Sequence, residues 1–456
     1  MSKSFQKKLE KRQSRFKSKN TRNDSKNKRQ SLVFSLSKKK KDDILRKKRN
    51  IIENKQNVEK MNQKVFEILN KLPQIVIQIS DPNCQNPHLF VQELRVMVSS
   101  NQNPPIDDLI KSKCVPLLLE FLQYENCEEL QVSFFFFVSP SESVKYRDEI
   151  LSMGAFPILL DIITTVQSKT ILKNAIWAVC NCIRRKPHPP LSMIQDAFPI
   201  FKQLIRHKDL EIQTKGFYAL SYLSNGDFNN NQMIIDLEII PIIINYLQSN
   251  ITKIRIPCIR VLGNIAGGNN NQTQTIINEG ALPILKRFLG NSESKIRKET
   301  LWVLSNICAG TNSQIQTLLD YYFIEFLIQI VKHDIFSVKK ECCYAITNLI
   351  ESANIQQIDI LISKNIVPPL INLLETKDNE IIIMVLQALY KLCALSQQVI
   401  QENEEIIEKN NCVESIEKIG GKVILEKLSG SIHYLISRKA DQILINFFLQ
   451  EKSNIN

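Results

Sequence analysis

Apolar residues in this chain fall into short helical stripes that restart at a nearly constant interval. Prolines mark the restarts: Pro116, Pro157, Pro199, Pro241 and Pro283 are 41, 42, 42 and 42 residues apart, and Pro368 follows after 85, two periods. Glu325 fills the skipped beat, inside Phe323–Leu327. Each beat opens an apolar run, such as Ala281–Leu285 or Ile366–Leu370. Within one period, Ile194 to Gly226, the pattern predicts three helices: a short one before Pro199, a second from Pro199 through Ile205, and a longer one from about Glu211 to Leu223. His207–Asp209 is the polar turn between the last two. Proline in the first turn of the second helix loses no hydrogen bond, because that N–H has no helical partner. Asn225 and Gly226 end the third helix, in composition suited to a left-handed cap.

A repeat of roughly 40–47 residues rich in helix formers signals a solenoid, in which each unit buries its core only against its neighbours. Three helices per unit favour the armadillo pattern over the two-helix HEAT pattern. The expected fold is therefore all-α, a right-handed armadillo-repeat superhelix of about nine repeats preceded by a basic N-terminal arm. With 456 residues, 43% of them hydrophobic, the chain has ample material for such a core.

The third helices carry the informative positions. In Ile171–Arg184, Leu172, Ala175, Ile176, Val179, Cys180 and Ile183 form the apolar stripe, while Trp177 and Asn181 fall together away from it. The same place in later periods holds Tyr218 and Tyr222, then Arg260 and Asn264, Trp302 and Asn306, and Tyr344 and Asn348. A lone Trp is more often core, and a lone Asn more often a cap or a solvated residue. No local packing need is expected to place Asn four residues after an aromatic or Arg in four separate units, so the pairing reads as a binding ladder. Asn offers a donor and an acceptor to an extended peptide backbone. Aromatic rows leave slots for the stems of Lys and Arg, with a cation–π attraction of about 0.5–2 kcal/mol each. Glu299 and Glu341, three residues before Trp302 and Tyr344, are placed to supply counter-charge.

Charge divides the chain. Residues 1–60 hold 22 Lys/Arg against 6 Asp/Glu, whereas the other 396 residues hold 37 against 40. A basic arm on a near-neutral body speaks against the whole chain sleeving nucleic acid. The 11 cysteines include no C-x-x-C pair, so buried reduced thiols are expected. His88, His188, His207, His333 and His433 have no metal-ligand spacing, and no nucleophile–base constellation or phosphate-binding loop stands out, so neither metal, cofactor nor catalysis is expected. No apolar run approaches the roughly 18–20 residues of a membrane span, and Leu32–Leu36 is too short for a secretory core. The expectation is a soluble intracellular protein.

The ladder residues also carry a family resemblance. Ile296–Gly310 (IRKETLWVLSNICAG), Cys258–Gly268 (CIRVLGNIAGG) and Lys339–Asn348 (KKECCYAITN) resemble the repeat helices of importin-α, with further similar stretches at Asn103–Ile110 and Tyr146–Leu151. Arg15–Asn20 and Lys38–Asn50 (KKKKDDILRKKRN) resemble that family's importin-β-binding segment. The resemblance implies a nuclear-import adaptor shuttling between cytoplasm and nucleus. Lys/Arg-rich localisation signals would bind Trp177, Asn181, Tyr218, Arg260, Asn264, Glu299, Trp302, Asn306, Glu341, Tyr344 and Asn348. Importin-β would bind Arg15, Lys38, Lys39, Lys40, Lys41, Arg46, Lys47, Lys48 and Arg49. When free, the arm would fold back into the groove as a mock cargo, with Lys47, Lys48 and Arg49 as the matching cluster. The implied organisation is an arm at 1–55, a linker and degenerate repeat at 56–105, cargo-binding repeats at 106–400 and a C-terminal capping repeat at 401–450. Neither nucleic acid nor a membrane is implied as a primary partner.

Two departures modify that expectation. One beat before Trp177 the ladder places hold Phe136 and Pro140, within an irregular stretch at 131–145, and relative to the family a whole repeat is missing there. Proline inside a helix costs about 3 kcal/mol, so this third helix is expected to stop near Val138. A genuine loss and translated intron at a misplaced exon boundary are both open. Of the family's larger cargo site Trp177 and Asn181 remain, so binding is expected to favour the smaller site formed by the later rungs. The family's acidic C-terminal stretch, which serves a Ran-dependent export factor, is reduced to Gln450–Asn456. The competing readings are an armadillo scaffold that has lost transport, and a nucleic-acid binder led by the arm, whose affinity would fall steeply with salt.

Overall fold

The computed structural model describes residues 70–78, 80–81, 89–90, 93, 106–122, 144–248, 251–402 and 411–449. The arm with Arg15, Lys38–Lys41 and Arg46–Arg49, the rung at Phe136 and Pro140, and the tail from Gln450 lie outside the described residues.

Among the described residues every regular element is a helix. Seven complete three-helix units run from Val144 to Phe447. Their third helices are α1 (Lys169–Ile183), α2 (Leu210–Leu223), α3 (Thr252–Ala266), α4 (Ser294–Cys308), α5 (Phe336–Ser352), α6 (Asn379–Glu402) and α7 (Tyr434–Phe447). Each packs on the next in chain order, so they form one continuous layer. Ile106–Lys111 and Cys114–Phe121 are the first two helices of a further unit. The architecture is an armadillo-type α-solenoid.

The unit read at Ile194–Gly226 consists of Leu191–Ile194, Ala197–Leu204 and α2. Pro116, Pro157, Pro199, Pro241 and Pro283 are each the third residue of a second helix and Pro368 the second, all within the turn whose N–H groups lack helical partners. The stripes they open converge on a core in which Phe156, Phe198, Phe201, Phe217 and Phe323 are fully buried.

Three expectations are corrected. The left-handed residue does not sit at Asn225 or Gly226: it recurs between the first and second helices, at Lys113, Gly154, Glu238, Gly280, Tyr322, Asn365 and Gly420. Gly226 serves close approach instead, since a Cβ there would lie 2.3 Å from Asn230 Nδ2, which caps the Leu223 carbonyl. Second, among the described residues one helical stretch is long and apolar enough to cross a membrane, the 20-residue window Asn379–Gln398 of mean hydropathy 1.4. That window belongs to α6 and half of it is buried inside the solenoid, as the central helix of a stacked repeat must be. The third correction, to the ladder, is given with the site below. The thiols conform: the nine described cysteines are buried and in no disulfide, and burial pushes Cys114 up to about 11 and Cys182 up to about 12.

A second periodic device holds the first helices together. Asn269/Gln272, Thr311/Gln314 and Asn354/Gln357 are capping boxes. Each glutamine also donates through Nε2 to the preceding repeat, to Phe228 O at 3.0 Å, Asn270 O at 2.9 Å and Asn312 O at 2.7 Å. Sequence reading missed this ladder, although the N/T-x-x-Q signature recurs at intervals of 42 and 43 residues.

Candidate peptide-binding face

The third helices present the expected rungs on one layer, and the structure shows what each rung already does. On α1, Trp177 is half-buried and Asn181 is 8% exposed, with no hydrogen-bond partner for its Nδ2 among the described residues. On α2, Tyr218 is half-buried, and Tyr222 packs against the core, which raises its hydroxyl above the ordinary value.

On α3, Arg260 donates from Nε to Glu299 Oε1 at 3.0 Å, and its Nη2 reaches the same oxygen. Burial works against the Arg260 charge, but the Glu299 carboxylate outweighs it and holds the guanidinium above its usual value. Glu299 is therefore engaged across the repeat boundary and is not the free counter-charge expected of it. On α4, Trp302 is half-buried against the core. On α5, Tyr344 and Asn348 are 8% and 5% exposed. The Tyr344 hydroxyl donates to Glu380 Oε1 at 2.6 Å, and burial together with that bond raises its pKa. Lys340 Nζ joins the same group, 2.7 Å from Asp378 Oδ2 and 2.9 Å from Glu380 Oε2. Tyr344 is thus held at the edge of α6 more than it is offered to a ligand. Glu341 remains half-exposed one turn before it.

The asparagines correct the ladder argument itself. Asn264 Nδ2 donates to Ser221 O at 3.1 Å and Ser224 Oγ at 2.9 Å. Asn306 Nδ2 donates to Gly263 O at 2.8 Å, and Asn348 Nδ2 to Ser305 O at 2.7 Å. A packing need for Asn at this place therefore exists: its amide reaches back to the last turn or so of the preceding third helix. Asn306 commits one Nδ2 bond to stacking and Asn264 two. The Oδ1 atoms of Asn264 and Asn306 keep no partner among the described residues.

At their N-terminal ends the third helices are joined by ions. Arg297 grips Asp334 through two bonds of 2.6 and 2.7 Å, and Lys173 pairs with Glu211. Sequence reading missed Glu380, Ser221, Ser305 and Gly263 as parts of the site. Gly263 carried a signal, since an isolated glycine inside a helical pattern usually has a packing reason.

Fold and face together define an armadillo-repeat protein whose third helices carry a half-buried ladder of aromatic, Arg and Asn side chains. The Armadillo/beta-catenin-like repeat family matches residues 143–184, 269–309 and 354–394. Importin subunit alpha-3 of Arabidopsis thaliana is 28% identical over 242 residues, 43% of this chain and 46% of that protein. Importin subunit alpha-B of Dictyostelium discoideum is 28% identical over 306 residues, 56% of this chain and 59% of that protein. The chain thus spans about half the length of the curated relatives it matches. The crystal structure of an engineered protein shares the fold, with a TM-score of 0.66 at 20% identity over 82% of this chain and 98% of that one. The chain carries armadillo repeats and is similar in sequence to importin-α subunits.

Proposed function

We propose that this protein is a non-enzymatic nuclear-import adaptor whose third-helix face binds extended Lys/Arg-rich localisation signals. The observation that carries the reading is what remains of each rung after stacking. Asn264 and Asn306 retain an acceptor for a peptide backbone, Asn306 a second N–H as well, and half-buried Tyr218 and Trp302 offer ring surface to the stems of basic side chains. Glu341 supplies negative charge near the later rungs. Because Tyr344 is tied to Glu380, the productive slot is the one around Trp302. Binding favours the later half, where Arg260, Asn264, Trp302 and Asn306 adjoin without a break.

In this reading residues 1–55 bind importin-β through Arg15, Lys38–Lys41 and Arg46–Arg49. In its absence they compete with cargo from an effective concentration of order millimolar. The protein then moves between cytoplasm and nucleus, and a Ran-dependent export factor is a further partner to test against the tail Gln450–Asn456. The decisive experiment is fluorescence anisotropy of a labelled Lys/Arg-rich peptide with the full chain and with residues 1–50 deleted. Binding that tightens on deletion supports both adaptor and autoinhibition; equal affinity removes autoinhibition. No binding by either form removes the adaptor reading and leaves a scaffold. A pull-down of importin-β by residues 1–55 tests the arm separately.

A further inference from the structure

Gly263 lies inside α3, where glycine is a poor helix former, yet two groups of the following repeat close on it. The six-membered ring of Trp302 covers its α-carbon so closely that a Cβ would fall 2.2 Å from Cζ3 and 2.6 Å from Cε3. Asn306, one turn after Trp302, donates to its carbonyl at 2.8 Å. The corresponding places in adjoining third helices are Ser221 and Ser305, each also the acceptor for the next asparagine. The rung residues that follow those serines are Arg260 and Tyr344, neither of them an indole. The bare position and the bulky ring occur together.

We infer that Gly263 is a positioning residue for the peptide-binding face: it seats the Trp302 indole flat against α3 and so sets the slot that takes a basic side chain. The inference rests on the peptide-binding reading. A Cβ at 263 would meet the rim of a ring that can swing outward, so the slot is lost before the helix is. Alanine is also the better helix former, so a purely structural role predicts no loss of binding.

The test uses the full chain with Trp177→Phe throughout. Of the two tryptophans only Trp302 then remains, and its emission reports its seat. Gly263→Ala is expected to shift that emission and to weaken binding of a Lys/Arg-rich peptide by about five- to tenfold, the size of one cation–π slot. Circular dichroism should show unchanged helix content. Gly263→Ala/Trp302→Tyr should bind more tightly than Gly263→Ala alone, as the smaller ring fits over a methyl. In a Trp302→Ala background, Gly263→Ala should leave affinity within about twofold, because no ring remains to be displaced. Unchanged emission and affinity in Gly263→Ala overturns the inference. So does an equal loss in the Trp302→Ala background, or a Gly263→Ala protein of reduced helix content that the Tyr substitution does not rescue. Failure of the unsubstituted chain to bind peptide rejects the adaptor reading instead, and the emission shift still decides the seating.

Discussion

Two ladders climb this solenoid on the same beat and use the same chemical group, yet only one leaves part of that group unused. In the first helices Gln272, Gln314 and Gln357 each donate to the preceding repeat; in the third helices Asn264, Asn306 and Asn348 do likewise. The glutamines are 1–2% exposed, and their oxygens accept the N-cap N–H at 3.0–3.4 Å, so both ends of each amide are used. The oxygens of Asn264 and Asn306 are left over, with a half-buried Arg or Trp one turn earlier. Periodicity therefore measures stacking, and unused hydrogen-bonding capacity beside an accessible side chain marks the place for a ligand.

The largest effect expected is on the closed ladder. Gln314→Ala removes the reciprocal half of a capping box and a buried inter-repeat bond together, and should destabilise the protein by about 2–3 kcal/mol in urea titration. Peptide affinity of the folded protein should stay within about twofold, since nothing on the third-helix face changes. A large loss of affinity would collapse the distinction between the ladders.

Asn306→Ala should do less to stability and more to binding. Loss of its bond to Gly263 costs about 1 kcal/mol, while peptide affinity falls by about tenfold as the free acceptor disappears. Parallel urea and anisotropy titrations separate the two. A change in stability alone would reduce the third-helix ladder to a second set of staples.

Acid isolates a third link, because neither ladder titrates. Burial alone would raise the Asp334 carboxyl, but the two bonds from Arg297 outweigh it and hold it below the ordinary 3.8. A carboxyl depressed in the folded state contributes stability above its unfolded pKa, about 4, and loses it as pH falls through the lower folded value. The urea midpoint should therefore drop as pH falls through and below the ordinary carboxylate range, and Asp334→Asn should flatten the drop. An Asn variant with the unchanged pH profile would assign acid sensitivity elsewhere, Asp378 beside Lys340 being the next such carboxyl.

What the sequence made legible was whatever a single repeat decides for itself. Helix number, the prolines at second-helix starts and the off-stripe pairs Trp177/Asn181 and Trp302/Asn306 all follow from local periodicity. Partners one repeat away were not legible, because they involve backbone carbonyls that carry no residue signature. The Ser221, Gly263 and Ser305 carbonyls turned Asn from a pure ligand into a staple. Arg260 and Glu299 were each read as facing the ligand, although their 39-residue spacing is nearly one period and invites a pair. The membrane-length window in α6 escaped notice because Glu380, Gln387 and Lys391 interrupt its apolar run without lowering its mean far enough. Asn225 and Gly226 had the right composition for a left-handed cap, but the strain sits at Lys113, Glu238, Tyr322 and Asn365, which composition does not flag.

That misplaced corner supplies the smallest test and a control on the comparison, because it lies off both ladders. At Gly280, φ is 81° with open space around the α-carbon, so a methyl group meets no neighbour and suffers only from the backbone angle. Gly280→Ala should cost about 1 kcal/mol. Glu238 holds φ at 52° with an exposed side chain, and Glu238→Gly should gain a few tenths of a kcal/mol, about 0.5, because relief of the left-handed strain is partly cancelled by the greater freedom of glycine in the unfolded chain. Urea midpoints should move in opposite directions for the two variants while peptide affinity stays fixed. If affinity followed the midpoint in either variant, binding would depend on the overall stiffness of the stack, and the leftover capacity of Asn264 and Asn306 would no longer suffice to explain it.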